Sequence, residues 1–313
     1  MEATYPSIAI AFLAVFSGLI LLVVGGEMLV TGAIKLAARL GMRPLLIGLT
    51  VVAFGTSMPE FFVSMAASGK GHPDIMLGNV TGSNIANIGL ILAISALLRP
   101  LAVRYSRLRL ELWAVLAASA IFAGITWYGY FSRLTGLFFM ALLVWYTVFV
   151  YRHPAGKVDI VEEKKPASFL IIALLCGGGL LALWQGSEFF IQGAVDIALF
   201  FGVAELVIGL TMAAVGTSLP ELASCISAIR KNETDLLVGN IIGSNLFNLL
   251  MVLGGTAVLY PFAIPVELLG RDIPVMIGFS VALLFFLSSR QQVSRPAGLI
   301  FLLAYGIYLY GLT

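Results

Sequence analysis

Charge is scarce in this chain. Only 11% of its 313 residues are Asp, Glu, Lys or Arg, and 60% are hydrophobic; soluble domains carry about 25% charge and about 45–50% apolar residues. That excludes an ordinary water-soluble globule and places nearly the whole chain in or beside a lipid bilayer. Histidine is almost missing. His72 and His153 fall in expected loops without the partner spacing of a metal site, so neither is read as a ligand. The two cysteines, Cys176 and Cys225, both lie in apolar segments and read as small buried hydrophobes. No basic stretch precedes the first apolar run, so residues 6 onward are expected to be a retained helix and not a signal peptide.

What is present is a series of apolar runs. A membrane-spanning helix needs about 20 mostly apolar residues. The runs predict ten: 7–34, 44–69, 76–98, 110–128, 134–151, 168–195, 204–228, 237–259, 273–289 and 296–312. The longest loop, 152–167, is charged and reads as a solvated linker. Ten crossings sort the loops onto two sides. Only Lys70, Arg133 and Arg271 fall on one of them, and the other fifteen of the 18 Lys and Arg fall on the second. Cytoplasmic loops carry the excess of Lys and Arg, which predicts that both termini lie outside.

The sequence also meets itself at an offset of 161 residues. "IGLTVVAFGTSMPE" (47–60) matches "IGLTMAAVGTSLPE" (208–221), and "GNVTGSNIANIG" (78–89) matches "GNIIGSNLFNLL" (239–250). Residues 41–95 and 202–256 share 22 identities without a gap, Pro, Glu, Asn and Gly among them. Chance similarity between apolar helices would match Leu and Val instead, so this is duplication. Each copy carries five spans, an odd number, so the second copy must enter the membrane upside down. The expected fold is an all-α membrane protein of ten helices in two inverted repeats, residues 1–152 and 168–313, joined by the linker 153–167. Inverted repeats with interrupted helices at the midplane are the mark of secondary transporters.

The interruptions carry the chemistry. Pro59 has no N–H and disturbs the preceding turn, which should free carbonyls near Ala53 to Thr56. In hydrocarbon a bare carbonyl survives only where it lines a cavity or is covered by protein. Thr56 and Ser57 add hydroxyls and Glu60 a carboxylate; Ala214, Thr217, Ser218 and Glu221 repeat the set. These are hard oxygen donors, suited to Na⁺, Ca²⁺ or Mg²⁺. In the next helices Ser83 and Asn87 are four apart and share a face, as do Ser244 and Asn248. Gly78 with Gly82, and Gly239 with Gly243, form small-xxx-small pairs that let backbones approach.

Plainer readings stand beside these. S-x-x-E at 57–60 also fits a helix-capping box, but a cap alone needs no carboxylate at mid-span, where an acid costs about 2.5 kcal/mol or more. The asparagines also suit interhelical hydrogen bonding. Glu27 and Glu188, another repeated pair, suit either an interfacial position or a gating or packing role, and are kept out of the core site.

At "GTSMPE…GNVTGSNIAN" and "GTSLPE…GNIIGSNLFN" the sequence resembles the cation/calcium antiporter superfamily, most of all its short prokaryotic sodium/calcium exchangers. The resemblance covers nearly the whole chain. It implies exchange of Na⁺ for Ca²⁺ by alternating access, in a cell (inner) membrane, without cofactor, enzymatic activity, nucleic-acid partner or obligatory protein partner. It also implies roles. Glu60 and Glu221 would bridge Ca²⁺ and share in the Na⁺ sites. Thr56 and Thr217 would add oxygens, and Ala53 and Ala214 would add theirs through the carbonyl. Ser57, Ser218, Ser83 and Ser244 would join the Na⁺ sites, with Asn87 and Asn248 lining the middle. Some relatives carry Asp where this chain has Asn248, which argues against potassium dependence here. On the same fold, protons loading the two glutamates would give H⁺/Ca²⁺ exchange; a cation channel and a membrane-embedded hydrolase are the readings from other classes. No His or Lys base stands at membrane depth to serve the last.

Overall fold

The computed structural model describes residues 4–152, 167–202 and 216–312. The chain is helical almost throughout. The helices are α1 (Ile8–Leu40), α2 (Pro44–Gly69), α3 (Pro73–Leu98), α4 (Tyr105–Tyr128), α5 (Arg133–Arg152), α6 (Phe169–Phe200), α7 (Leu219–Arg230), α8 (Thr234–Leu259), α9 (Asp272–Arg290) and α10 (Arg295–Tyr310). Among the described residues, eight helical stretches are long and apolar enough to cross a membrane. The Arg295–Tyr310 helix is shorter, and the expected span 204–228 lies partly outside the described residues.

Helix ends follow capping chemistry more closely than hydropathy. The first apolar run ends near residue 34, but α1 continues through "KLAARL" to Gly41, whose φ of 62° closes it in the left-handed region. Ser7 and Ser168 start α1 and α6 by accepting from the N–H three residues on. α4 also starts early, at Tyr105, five residues before its apolar run begins, without a side-chain cap at Arg104.

Three stretches widen into π-helix, with hydrogen bonds to the fifth residue: Gly48–Val52 in α2, Asn87–Leu92 in α3 and Asn248–Leu253 in α8. The last two are repeat equivalents. Such segments occur mostly at functional positions.

The centre of the bundle is α8. Every residue of its most apolar stretch is buried, against 28% for those of α1, α5 and α6. Glycine sets its contact with α2: a Cβ at Gly48 would sit 2.4 Å from Leu236 O, and one at Gly239 2.5 Å from Leu45 O. Gly243 likewise abuts Leu49 O at 2.6 Å. Gly78 is exposed, and no described atom lies within 4 Å of its would-be Cβ; the stretch equivalent to the one that meets Gly239 lies outside the described residues. Outward faces carry large apolar groups such as Leu13, Phe16, Trp145, Leu174 and Ile300, a surface suited to lipid.

Two antiparallel two-residue bridges tie the loops together. Leu101–Ala102 pairs with Gln292–Val293, and Tyr130–Phe131 with Phe262–Ala263. Each joins one half of the chain to the other.

Candidate functional site

The interruptions lie at Ser57 (φ −84°, ψ 2°) and Ser218 (φ −89°, ψ 5°). New helix begins at once, with Pro59 and Pro220 in its first turn, where a missing N–H costs nothing. Glu60 and Glu221 follow in the same turn. Neither serine makes a side-chain cap bond, and both Oγ atoms are buried without a partner. The capping box that S-x-x-E suggests is therefore not formed. Ala53 O, expected to be bare, accepts the Ser57 N–H at 3.0 Å; the carbonyl keeps one lone pair free. Ala214 lies outside the described residues.

The two acids are wholly buried, each 0% exposed. They are near enough for Glu221 to act on Glu60 electrostatically, and each is faced by the threonine of the other half: Thr217 stands at Glu60, Thr56 at Glu221.

A hydrogen-bond network surrounds them, and its threonine–asparagine bonds recur in both halves. Asn79 of α3 donates to Glu60 O (3.2 Å) and Ser64 Oγ (3.0 Å), while its Oδ1 accepts from Thr217 Oγ1 of the opposite half at 3.2 Å. Asn240 of α8 makes the matching bond to the other half's threonine but donates to a different partner on its own half. It donates to Ser224 Oγ at 3.0 Å and accepts from Thr56 Oγ1 at 3.2 Å. Each asparagine thus pins its own half's broken helix to the threonine of the other. Ser244 Oγ lies 3.4 Å from both Thr56 Oγ1 and Glu221 Oε1. Asn79 and Asn240 were passed over in the sequence, although they stand second in "GNVTGSN" and "GNIIGSN" and are repeat equivalents. That duplication was the available signal.

Asn87 and Asn248 part company. Asn87 Nδ2 donates to Asn245 Oδ1 at 2.9 Å, which fulfils the interhelical reading for this residue. Neither amide atom of Asn248 has a partner.

Both carboxylate oxygens of Glu60, Glu221 Oε2, Asn87 Oδ1, Asn248 Oδ1 and the hydroxyls of Ser57, Ser218 and Ser83 are buried without a hydrogen-bond partner among the described residues. Leaving two charges so placed costs several kcal/mol each. Hydroxyls, amide oxygens and two carboxylates are an oxygen donor set suited to hard cations. They come from both halves, at the breaks of membrane-buried helices.

A broken-helix bundle with such a polar centre is the interior of a membrane transporter, not of an enzyme. The family model described as "Sodium/calcium exchanger protein" matches residues 10–152 and 171–313. Among relatives, the putative antiporter CaxA of Alkalimonas amylolytica is 37% identical, with 96% of this chain and 98% of that protein covered. The sodium/calcium exchanger MaX1 of Methanosarcina acetivorans is 31% identical over 96% of this chain and 98% of its own. The inner membrane protein YrbG of Escherichia coli is 36% identical, over 89% and 88%. A solved structure of the sodium-calcium exchanger NCX_Mj, soaked with Na⁺ and Sr²⁺, superposes with a TM-score of 0.85 at 30% identity, covering 98% of this chain and 100% of that one. The chain belongs to the sodium/calcium exchanger family, and is a multi-pass membrane protein that transports cations.

Proposed function

We propose that the chain exchanges Na⁺ for Ca²⁺ by alternating access, through one oxygen cage built by two inverted five-helix halves, residues 1–152 and 168–313. The observation that carries this is the pair of fully buried glutamates, Glu60 and Glu221, set among unpartnered oxygens from both halves. The cage comprises Glu60, Glu221, Thr56, Thr217, Ser57, Ser218, Ser83, Ser244, Asn87 and Asn248, with the carbonyls of Ala53 and Ala214. Two carboxylates neutralise one Ca²⁺. With the hydroxyls they serve two or three Na⁺ instead. Cations a few Å apart in low dielectric repel strongly, so the two loads exclude each other. That competition is the coupling. An empty cage leaves both acids uncompensated and resists crossing.

The family and the relatives named exchangers support this reading, as does the hydroxyl content of both GTS segments, which protons would not need. Ten crossings with both termini outside, and function as a monomer, complete it. With three Na⁺ per Ca²⁺, one charge moves inward per cycle, and 100 mV adds about 2.3 kcal/mol to Ca²⁺ extrusion. The test is Ca²⁺ uptake into vesicles driven by a Na⁺ gradient at fixed pH, with pH jumps as comparison. Uptake that follows the pH jump and ignores Na⁺ replaces this reading with H⁺/Ca²⁺ exchange. Flux indifferent to any counter-ion gradient replaces it with a channel.

A further inference from the structure

The threonine–asparagine bonds at the centre recur in both halves, but the ion pair of their first helices does not. Glu27 of α1 reaches the opposite half: Lys231 Nζ lies 2.6 Å from its Oε2 and Arg230 Nη1 3.4 Å from its Oε1. Both glutamate and lysine have repeat equivalents at the 161-residue offset, Glu188 on α6 and Lys70 after α2. That second pair is not formed. Glu188 accepts only from Gln192 Nε2, at 3.2 Å on its own helix, and Lys70 makes no ion pair among the described residues.

Packing repeats the difference. α1 lies along α7, so close that a Cβ on Gly26 would meet Ala223 O at 2.8 Å. Among the described residues α6 has no comparable seat along Met58–Gly69 of α2, which it meets where Trp184 stacks on Phe62. As a result Ser227 is buried (3% exposed), while its equivalent Ala66 is exposed. Lys231 belongs to the loops rich in Lys and Arg, and Lys70 to the other side.

We propose that Glu27, Arg230 and Lys231 form a charge latch that holds α1 against α7 and shuts the Lys/Arg-rich face. Glu188 and Lys70 are its counterpart, open here and closed when the two halves trade conformations. The two latches compete for one molecule, because α1 and α6 pack along each other's length. These are positioning residues: Glu27 has no bond to the Thr56–Asn240 network. The inference rests on the alternating-access reading and assigns the residues that bias it.

The experiment reads access without transport. Ser227→Cys and Ala66→Cys report the two seats by their rate of reaction with a hydrophilic maleimide in membrane vesicles, after subtracting labelling of the parent chain. Partly exposed ion pairs bias an equilibrium by about two- to fivefold. Glu27→Gln should therefore speed labelling of Ser227→Cys about two- to fivefold and slow that of Ala66→Cys. Glu27→Asp, which keeps the charge, should restore the parent rates. Lys70→Gln removes a side chain that holds nothing in this state, so it leaves the fold intact; it should shift both rates the opposite way. Glu27→Gln rates that rise together or stay unchanged, or a Lys70→Gln effect of the same sign as Glu27→Gln, would overturn the latch. No ion gradient is applied, so a chain that fails to exchange Na⁺ for Ca²⁺ can still pass or fail here.

Discussion

The centre of this protein and its flank obey different symmetry. Around Glu60 and Glu221 one bond recurs in both halves, for Thr217 donates to Asn79 as Thr56 donates to Asn240. At α1 and α6 they do not, for one repeated Glu–Lys pair is closed and the other open. The cause lies in what each region must do. Buried polar groups in hydrocarbon have few alternative partners, which fixes the bonds the centre does make. The flank packs apolar helices against apolar helices, where two arrangements can lie close in energy.

The comparison can be broken most severely at the acids. Glu60→Gln and Glu221→Gln should each lower Na⁺-driven Ca²⁺ flux more than about 100-fold, since loss of one charge leaves Ca²⁺ half neutralised. Near-normal flux in either would remove both from the cage. Asn79→Ala and Asn240→Ala should lose about 10- to 100-fold in apparent Ca²⁺ affinity, as expected for groups that orient ligands. If the mirror symmetry is functional, the two losses will agree; a large loss in one alone would deny it. Gly239→Ala forces α8 off α2 and should cost about 1–3 kcal/mol of stability, seen as a lower midpoint of thermal unfolding in detergent. Gly124→Ala, with nothing within 4 Å of its added Cβ, is the control and should leave the midpoint unchanged. Asn248→Asp should alter ion selectivity or stoichiometry, read as a shifted reversal potential. Asn87→Asp should do so less, because Asn87 is already tied to Asn245. Smallest is Ser57→Ala, expected to weaken Na⁺ activation by about threefold without changing stability, since its Oγ makes no cap bond to lose.

The broken helices and the two acids were legible in the sequence because polar residues in a 60% hydrophobic chain have nowhere neutral to hide. Their cost in lipid makes each one a signal, and duplication makes it louder. The asparagines were legible as residues but not as roles. Nothing in "GNVTGSNIAN" tells that Asn79 bridges two halves while Asn87 is consumed by Asn245. The π-helical stretches at Asn87 and Asn248 left no mark either, since one extra residue in a turn changes backbone bonding and no composition.

The sequence by itself determined the membrane setting, the duplicated halves and the oxygen-bearing breaks. These follow from transfer energies and from repetition, which are properties of residues in order. Tertiary structure alone decided which equivalent group is paired and which is left open. The repeated Glu–Lys pair is present in both halves of the sequence, and packing between the halves selects which one is closed.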